Sequence, residues 1–372
     1  MSLKPDIQRE IRGWLFDVYP ASGGMVLWVI TEEGRRLRLV DPFHPSFYFE
    51  GPPGESRRAF SLLSREATPV TARPVERMEF FSGKPIPVVQ VTVEDPMEFP
   101  AIVGKLTRLG DRLRFYTCDI NPAQLYFYER NVFPLAFCSI ECGDGAAVRS
   151  IRALDSPWDL DYSLPPLRVM QIRMEGDRSN PNHGTRGRLE ILDGQGGRVL
   201  EGDDAAELVI GLNQRLHQDD PDLIFTEWGD SFIIPHLRRL AEGCGIPIAF
   251  NRDVQKMVAG KKARSYASYG RMVHNAGAQT FFGRWHIDRR NSFVLNEAKL
   301  EGLFEQARVT KLPIQHAART STGTGITSMQ LETAHREGIL IPCQKRQPEE
   351  FKSGYELLTI DKGGMVFLPP VG

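Results

Sequence analysis

Between Lys261 and Arg271 the chain reads Lys-Lys-Ala-Arg-Ser-Tyr-Ala-Ser-Tyr-Gly-Arg, which interleaves Lys261, Lys262, Arg264 and Arg271 with Tyr266 and Tyr269. Cations at this spacing can follow the phosphates of a nucleic-acid strand while tyrosine rings stack on its bases. Arg284 and Trp285, then Arg289 and Arg290, lengthen the strip. The same residues also fit a solvated basic loop with both tyrosines packed inward, and spacing does not separate the two readings. His286 and Asp288 share one face of a strand, because side chains alternate with a period of two. A packed, hydrogen-bonded histidine explains that pair better than a metal ligand does. Asp230, in Trp-Gly-Asp-Ser-Phe-Ile-Ile-Pro, stands where a helix cap is needed after the strand Leu223 to Thr226.

The charge balance supports a local patch rather than a global field. The net charge of −1 hides nine acids against two bases from Arg198 to Asp230, and nine bases against two acids from Arg252 to Arg290. Nucleic-acid binding depends on such a patch and not on the whole-chain balance. No apolar run approaches the roughly 18 residues of a membrane span, and no leader-like apolar stretch follows the polar start, so a cytoplasmic protein without a membrane partner is expected. The five cysteines are scattered. Cys138 and Cys142 form a lone pair without a second pair to complete a zinc site, which favours reduced thiols.

These residues need elements to position them. At 372 residues two or three domains are expected. The first, residues 1–140, is α+β. Strands at Trp14–Val18 and Met25–Ile30 flank a Ser-Gly-Gly turn, and further strands follow at Arg36–Val40, Ser46–Phe49, Pro87–Val93 and Arg114–Thr117, with a helix at Pro100–Leu109. Residues 141–166 are a connector rich in Asp, Ser and Pro. Residues 167–345 open with three strands (Leu167–Met174, Arg188–Leu192, Arg198–Glu201). A helix capped by Asp203 or Asp204 then carries Leu208, Leu212 and Leu216 on one face, before the strand at Leu223 and a helix from Ser231 to Glu242. That order suits an α/β ribonuclease-H-like domain with a mixed sheet. Residues 346–372 read as a linker, and the blunt Pro369-Pro-Val-Gly372 as a chain cut there.

Several stretches, in order, resemble the N-terminal half of family B DNA polymerases: Gly13-Trp-Leu-Phe-Asp-Val-Tyr, Pro45-Ser-Phe-Tyr-Phe, Glu79-Phe-Phe-Ser-Gly, Asp119-Ile-Asn-Pro-Ala-Gln-Leu-Tyr-Phe-Tyr-Glu-Arg-Asn-Val-Phe-Pro-Leu, Gly283-Arg-Trp-His-Ile-Asp, Ala318-Arg-Thr-Ser-Thr-Gly and His335-Arg-Glu-Gly-Ile-Leu-Ile-Pro. The third and fourth are taken to match later strands of the N-terminal domain and its join to the exonuclease domain, and the last two to match helices. The resemblance implies an N-terminal domain and a 3′–5′ exonuclease domain, with palm, fingers and thumb absent.

The family reaction is phosphodiester hydrolysis by two Mg²⁺ or Mn²⁺ ions held by carboxylates. The resemblance places Arg173 at the first metal-binding Asp and keeps Glu175 as its partner. Ile233, after Phe232, replaces the Asp of the second motif. In the third, Tyr-x-x-x-Asp, Phe293 and Glu297 stand for Tyr and Asp. An Arg at the metal position is a fixed competing cation. A strand slip of two residues would instead offer Glu175 and Asp177 on one face, with Asp230 as a third ligand. Archaeal relatives sense template uracil with an Arg at the position of Leu125 and often a Tyr at that of Ser46, and neither is present here. The leading expectation is a DNA-binding portion of such a polymerase with its exonuclease site disabled. Single-stranded or primer–template DNA would be its partner in the nucleoid, and a polymerase domain would be supplied in cis or as a separate subunit. The alternatives are a residual metal-dependent exonuclease and an interaction module for that subunit.

Overall fold

Sheets dominate the first third because β-branched and aromatic residues alternate there between Gly and Pro breaks. The computed structural model describes residues 9–143, 146–174, 188–193, 196–200, 204–268, 271–275, 277–343 and 355. The hairpin forms as expected from β1 (Arg9–Ala21) and β2 (Gly24–Thr31), with Ala21 opposite Gly24. Gly24 has φ 147°, and a Cβ there would lie 2.1 Å from the Asp41 carbonyl oxygen, so this turn requires glycine. Then follow β3 (Arg36–Asp41), β4 (Ser46–Glu50), α1 (Pro53–Leu63), β5 (Val70–Glu79), β6 (Pro85–Val93), α2 (Phe99–Thr107), β7 (Arg114–Tyr116), α3 (Pro122–Arg130), β8 (Phe137–Cys142) and β9 (Val148–Ala153).

Regular structure extends into two stretches to which the sequence assigned none. The segment from Asp119, expected near the join to the next domain, contains α3. Asn121 caps it by accepting from the Ala123 N–H at 2.8 Å, and Pro122 fits the first helical position. The stretch 141–166 is only partly a connector, since β9 pairs with β8 at the edge of the first sheet.

The second half comprises β10 (Val169–Met174), β11 (Leu189–Asp193), β12 (Gly196–Leu200), α4 (Ala205–Asp219), β13 (Leu223–Thr226), α5 (Ile234–Cys244), β14 (Ala259–Lys261), β15 (Arg264–Ser268), β16 (Arg271–Asn275), β17 (Ala278–Thr280), β18 (Trp285–Asp288), α6 (Phe293–Thr310), α7 (Ile314–Ala317), α8 (Thr322–Arg336) and β19 (Ile339–Leu340). Asp204 caps α4 and Leu212 and Leu216 are buried, as its periodicity predicts. The main sheet has the order β12-β11-β10-β13-β18 and is mixed, with β10, β13 and β18 parallel. The other two five-stranded sheets are β3-β2-β1-β8-β9 and β19-β5-β6-β4-β7. The last therefore takes a strand from the far end of the described chain, where residues 335–342 were expected to be helical.

The two halves share a core. Every residue of β2 is buried: Met25, Leu27 and Val29 face the core of the first half, while Val26, Trp28 and Ile30 join Leu223, Phe225, Trp285, Ile287 and α6. Phe16 stacks on Trp285 with centroids 4.0 Å apart. Fully buried Asp222 accepts from Arg36 of β3 and from Arg252, each at 3.0 Å. The Tyr19 hydroxyl donates to Asp253 at 2.7 Å and accepts from the Trp28 indole at 2.8 Å. Asp17 accepts from the Gly283 N–H at 2.9 Å.

Burial raises the Asp17 carboxyl to about 7, against an ordinary value near 3.8. Its contribution to stability is therefore full below about pH 4 and is lost as pH rises through 7. Urea titrations at pH 5 and 8 should show wild type losing on the order of 2 kcal/mol more than Asp17→Asn over that interval. Equal losses would show that Asp17 is ionised throughout.

Candidate functional site

The carboxyl ends of β10, β13 and β18 are aligned, because Ile172 pairs with Thr226 and Thr226 with Asp288. In open α/β sheets ligands gather in the crevice beyond such ends. At its β10 side Arg173 donates to Glu190 of β11 at 2.7 Å, as the register Arg173↔Glu190 requires. The Glu190 hydrogen bond, then its charge and that of Glu227, hold Arg173 above its ordinary pKa. Past β13, Glu227 accepts from Arg290 at 2.9 and 3.1 Å. Arg289 lies over the Phe225 ring, 4.8 Å from its centroid. The crevice mouth is thus lined by alternating cations and carboxylates.

Beneath it lies a sealed polar cluster. The chain leaves β13 through Trp228, at φ 67°, into a π-turn at Gly229–Ile233 before α5 begins at Ile234. Gly229 is required by space, since a Cβ would lie 1.9 Å from Thr226 Oγ1 and 2.5 Å from His286 Nε2. Asp230 does not cap the helix. Its oxygens accept from the Gln279 N–H (2.7 Å), Asn291 Nδ2 (2.8 Å) and Arg319 Nε and Nη2 (2.8 and 2.9 Å). Burial opposes the charge, but the hydrogen bonds and charge of Arg319 overcome it and hold the carboxyl below its usual range. Asp288 accepts from the N–H groups of Trp228, Asp230 and Arg290 at 3.0, 2.9 and 3.0 Å, yet burial raises its carboxyl to about 6. His286 donates from Nδ1 to the Gln279 carbonyl (2.7 Å) and accepts at Nε2 from Thr226 (2.8 Å). Burial, with the adjacent Arg319, lowers it to about 4, so it is a neutral packed histidine. The cluster positions the π-turn and offers no open donor pair.

With this geometry in hand, known proteins can be compared. The chain is 20% identical over 406 residues to a DNA polymerase of Archaeoglobus fulgidus, covering 94% of this chain and 51% of that protein. It is 20% identical over 419 residues to a DNA polymerase of Thermococcus litoralis, covering 96% of this chain and 23% of that one. The structure of the family B DNA polymerase from Pyrobaculum calidifontis superposes with a TM-score of 0.66 and 21% identity, over 91% of this chain and 52% of that one. The fold is that of the N-terminal and exonuclease region of a family B DNA polymerase. The chain spans about half, or less, of the polymerases it matches. No protein-family model matches it.

Against that polymerase fold the expected site residues disperse. Arg173 is at the crevice, closed in its pair with Glu190. Glu175 and Asp177 lie outside the described residues. Ile233 is 1% exposed, packed with Ile224, Leu237, Phe250 and Phe281. Phe293 is 60% exposed at the start of α6, and Glu297 is exposed one turn on. Asp230 has both oxygens occupied and is no ligand in waiting. Among the described residues, the one group of three donors close enough to share an ion is Cys118, Asp119 and Cys343, in the first half.

The basic strip divides. Lys261 and Lys262 are exposed beside β14, and the β15–β16 hairpin pairs Arg264 with Asn275, Tyr266 with Val273 and Ser268 with Arg271, while Tyr269 lies outside the described residues. Asn291 donates to the Gly277 carbonyl at 2.9 Å, tying the far end of this segment to the turn that carries Arg289 and Arg290. Arg284 and Trp285 must be withdrawn from the strip. Arg284 is 4% exposed and donates to the carbonyls of Ala249 and Leu216 and to Asp220, and Trp285 is a core ring. Trp285 lies at the seam against Phe16, while Arg284, just before β18, is enclosed by its partners within the second half. Sequence reasoning missed Arg319, whose partner Asp230 is 89 positions away. The available signal was a second carboxylate, after Glu227, directly ahead of the apolar Phe232-Ile-Ile run, which needs a cation from somewhere.

Removing Arg319 leaves Asp230 as an uncompensated buried charge. Arg319→Met should cost about 3–5 kcal/mol in urea denaturation. Pairing it with Asp230→Asn should return part of the loss. A double-variant loss equal to the sum of the Arg319→Met and Asp230→Asn losses would show that the pair is not coupled.

Proposed function

We propose that this chain is a DNA-holding front portion of a family B-type polymerase in which the 3′–5′ nuclease site no longer carries out metal chemistry. The observation that carries this reading is the Arg173–Glu190 pair, at the strand end where the resemblance puts the first metal-binding carboxylate. A guanidinium fixed there repels a divalent cation and occupies a carboxylate that could have approached one. Ile233, inside the apolar core, supports the same reading at the second motif. The described residues do not fit a pair of Mg²⁺ or Mn²⁺ ions. The strand order β12-β11-β10-β13-β18, antiparallel and then parallel, supports a ribonuclease-H-like origin for this sheet.

A surface for a polyanion is the second part of this reading. Lys261 and Lys262 stand exposed beside β14, and Arg289 and Arg290 lie past the end of β18. Single-stranded or primer–template DNA is the partner in this reading, with its phosphates on these cations. The proposal includes a polymerase domain that would use the held strand, supplied in cis or as a separate subunit. In this reading the protein works with chromosomal DNA in replication or repair.

Fluorescence anisotropy with labelled single-stranded and primer–template DNA tests the binding arm. Affinity should fall with salt, and Lys261→Ala with Lys262→Ala should reduce the slope of log K against log salt by about 1.4, or about 0.7 per phosphate. Absence of salt-dependent affinity would sink the proposal. Incubation of 3′-labelled strands with Mn²⁺ tests the catalytic arm, and no shortening is expected. Digestion that disappears in Glu175→Gln would reinstate the nuclease.

A further inference from the structure

The thiols of Cys118 and Cys343 are 225 positions apart in sequence and meet at one point beside Asp119. One ligand atom from each of Cys118, Asp119 and Cys343 lies within 4.8 Å of the others. The backbone is arranged to bring them there. Thr117 donates its N–H to the Ile341 carbonyl at 2.7 Å, and Cys343 donates to the Phe115 carbonyl at 2.9 Å, flanking the bridge between Tyr116 and Pro342. In a continued ladder Cys118 would move away from Cys343. Instead Thr117, 2% exposed, takes φ 57°, a left-handed conformation that a β-branched residue adopts only at a cost. That kink ends β7 and turns Cys118 back toward the exit strand. Cys118 is buried at 5% exposure, while Cys343 and the exposed Asp119 leave one side open to solvent.

Two sulfurs and a carboxylate oxygen, all within 4.8 Å of one another, form a borderline-soft donor set. It suits Zn²⁺ far better than Mg²⁺, whose preference is for oxygen alone. We propose that Cys118, Asp119 and Cys343 bind a thiophilic divalent cation of the Zn²⁺ class, with water as the fourth ligand, and so clamp the exit strand to the first domain. Binding replaces two thiol protons: Zn²⁺ and two R–SH give Zn(SR)₂ and two H⁺ released to solvent, with no change of oxidation state. The carboxylate supplies the third bond. This site is independent of the nuclease crevice and stands or falls apart from the proposed function.

The test is titration of the whole, reduced, metal-free protein with Zn²⁺ alone and with Co²⁺ as a spectroscopic stand-in. One equivalent of Co²⁺ should give tetrahedral visible bands together with a sulfur-to-metal charge-transfer band. Zn²⁺ should bleach both and raise the melting temperature. Cys343→Ser should weaken Zn²⁺ binding more than about 100-fold, and Asp119→Asn on the order of 10–100-fold, since even outer-shell changes reach that range. Asp119 is exposed, so its variant keeps the test interpretable if the cysteine variant folds poorly. Absence of the charge-transfer band in wild type would overturn the proposal. So would Zn²⁺ affinity unchanged by Cys343→Ser, or oxidation of the pair to a disulfide in a protein that binds neither metal.

Discussion

A strand buried on both faces governs this molecule. β2 has no solvent side: its odd-numbered residues from Met25 fill the core of the first half, and its even-numbered residues lie against the sheet and helices of the second. Burial of this kind contributes roughly 25 cal/mol per Å² of apolar area on each face. The two halves therefore share one hydrophobic interior instead of meeting across a wet interface. Asp222, Asp253 and Asp17 sit at its edge, each paired across the seam by an arginine, a tyrosine or a backbone N–H. These polar groups fix the register of two sheets that apolar packing alone would allow to slide.

That shared interior explains what the sequence could and could not reveal. The period-two pattern of Trp14–Ile30 identified the hairpin, and the leucine spacing of 208–216 identified α4, because each signal is local. Arg284 and Trp285 misled for the opposite reason. Next to Lys261–Arg271 they look like more of a basic, aromatic surface. Phe16 of β1 covers Trp285, and the Leu216 and Ala249 carbonyls with Asp220 enclose Arg284, so both are internal. α3 was not assigned from the sequence, although the Asn121–Pro122 cap is a local signal for it.

The crevice was legible as a set of departures but not as a set of contacts. Arg173 and Ile233 stood out by type. The carboxylate that answers Arg173 comes from β11, a register partner that spacing alone does not specify, and the cation that answers Asp230 comes from a segment after α7. Asp230 read as a cap because Asp after a strand usually is one. A π-turn enforced by Gly229 places it one layer deeper, where it holds the turn in place from below. Asp230 and Asp288 at the end of this sheet hold the π-turn, and Arg173 and Arg290 in front of them pair with Glu190 and Glu227.

The return of β19 to β5 has a mechanical meaning. The chain enters its second half past Ser163 and Pro166, whose carbonyls accept from Trp14 and Arg36, and finishes it by hydrogen bonding to a sheet of the first, so the second half is held at both of its ends by the same neighbour. A loop closed in this way cannot swing about a single hinge. Strain entering from either domain is spread over the shared interior, and loss of one half removes the anchorage of the other. The fold should therefore open as a unit, with the short parallel contact at Ile339–Leu340 as its latch.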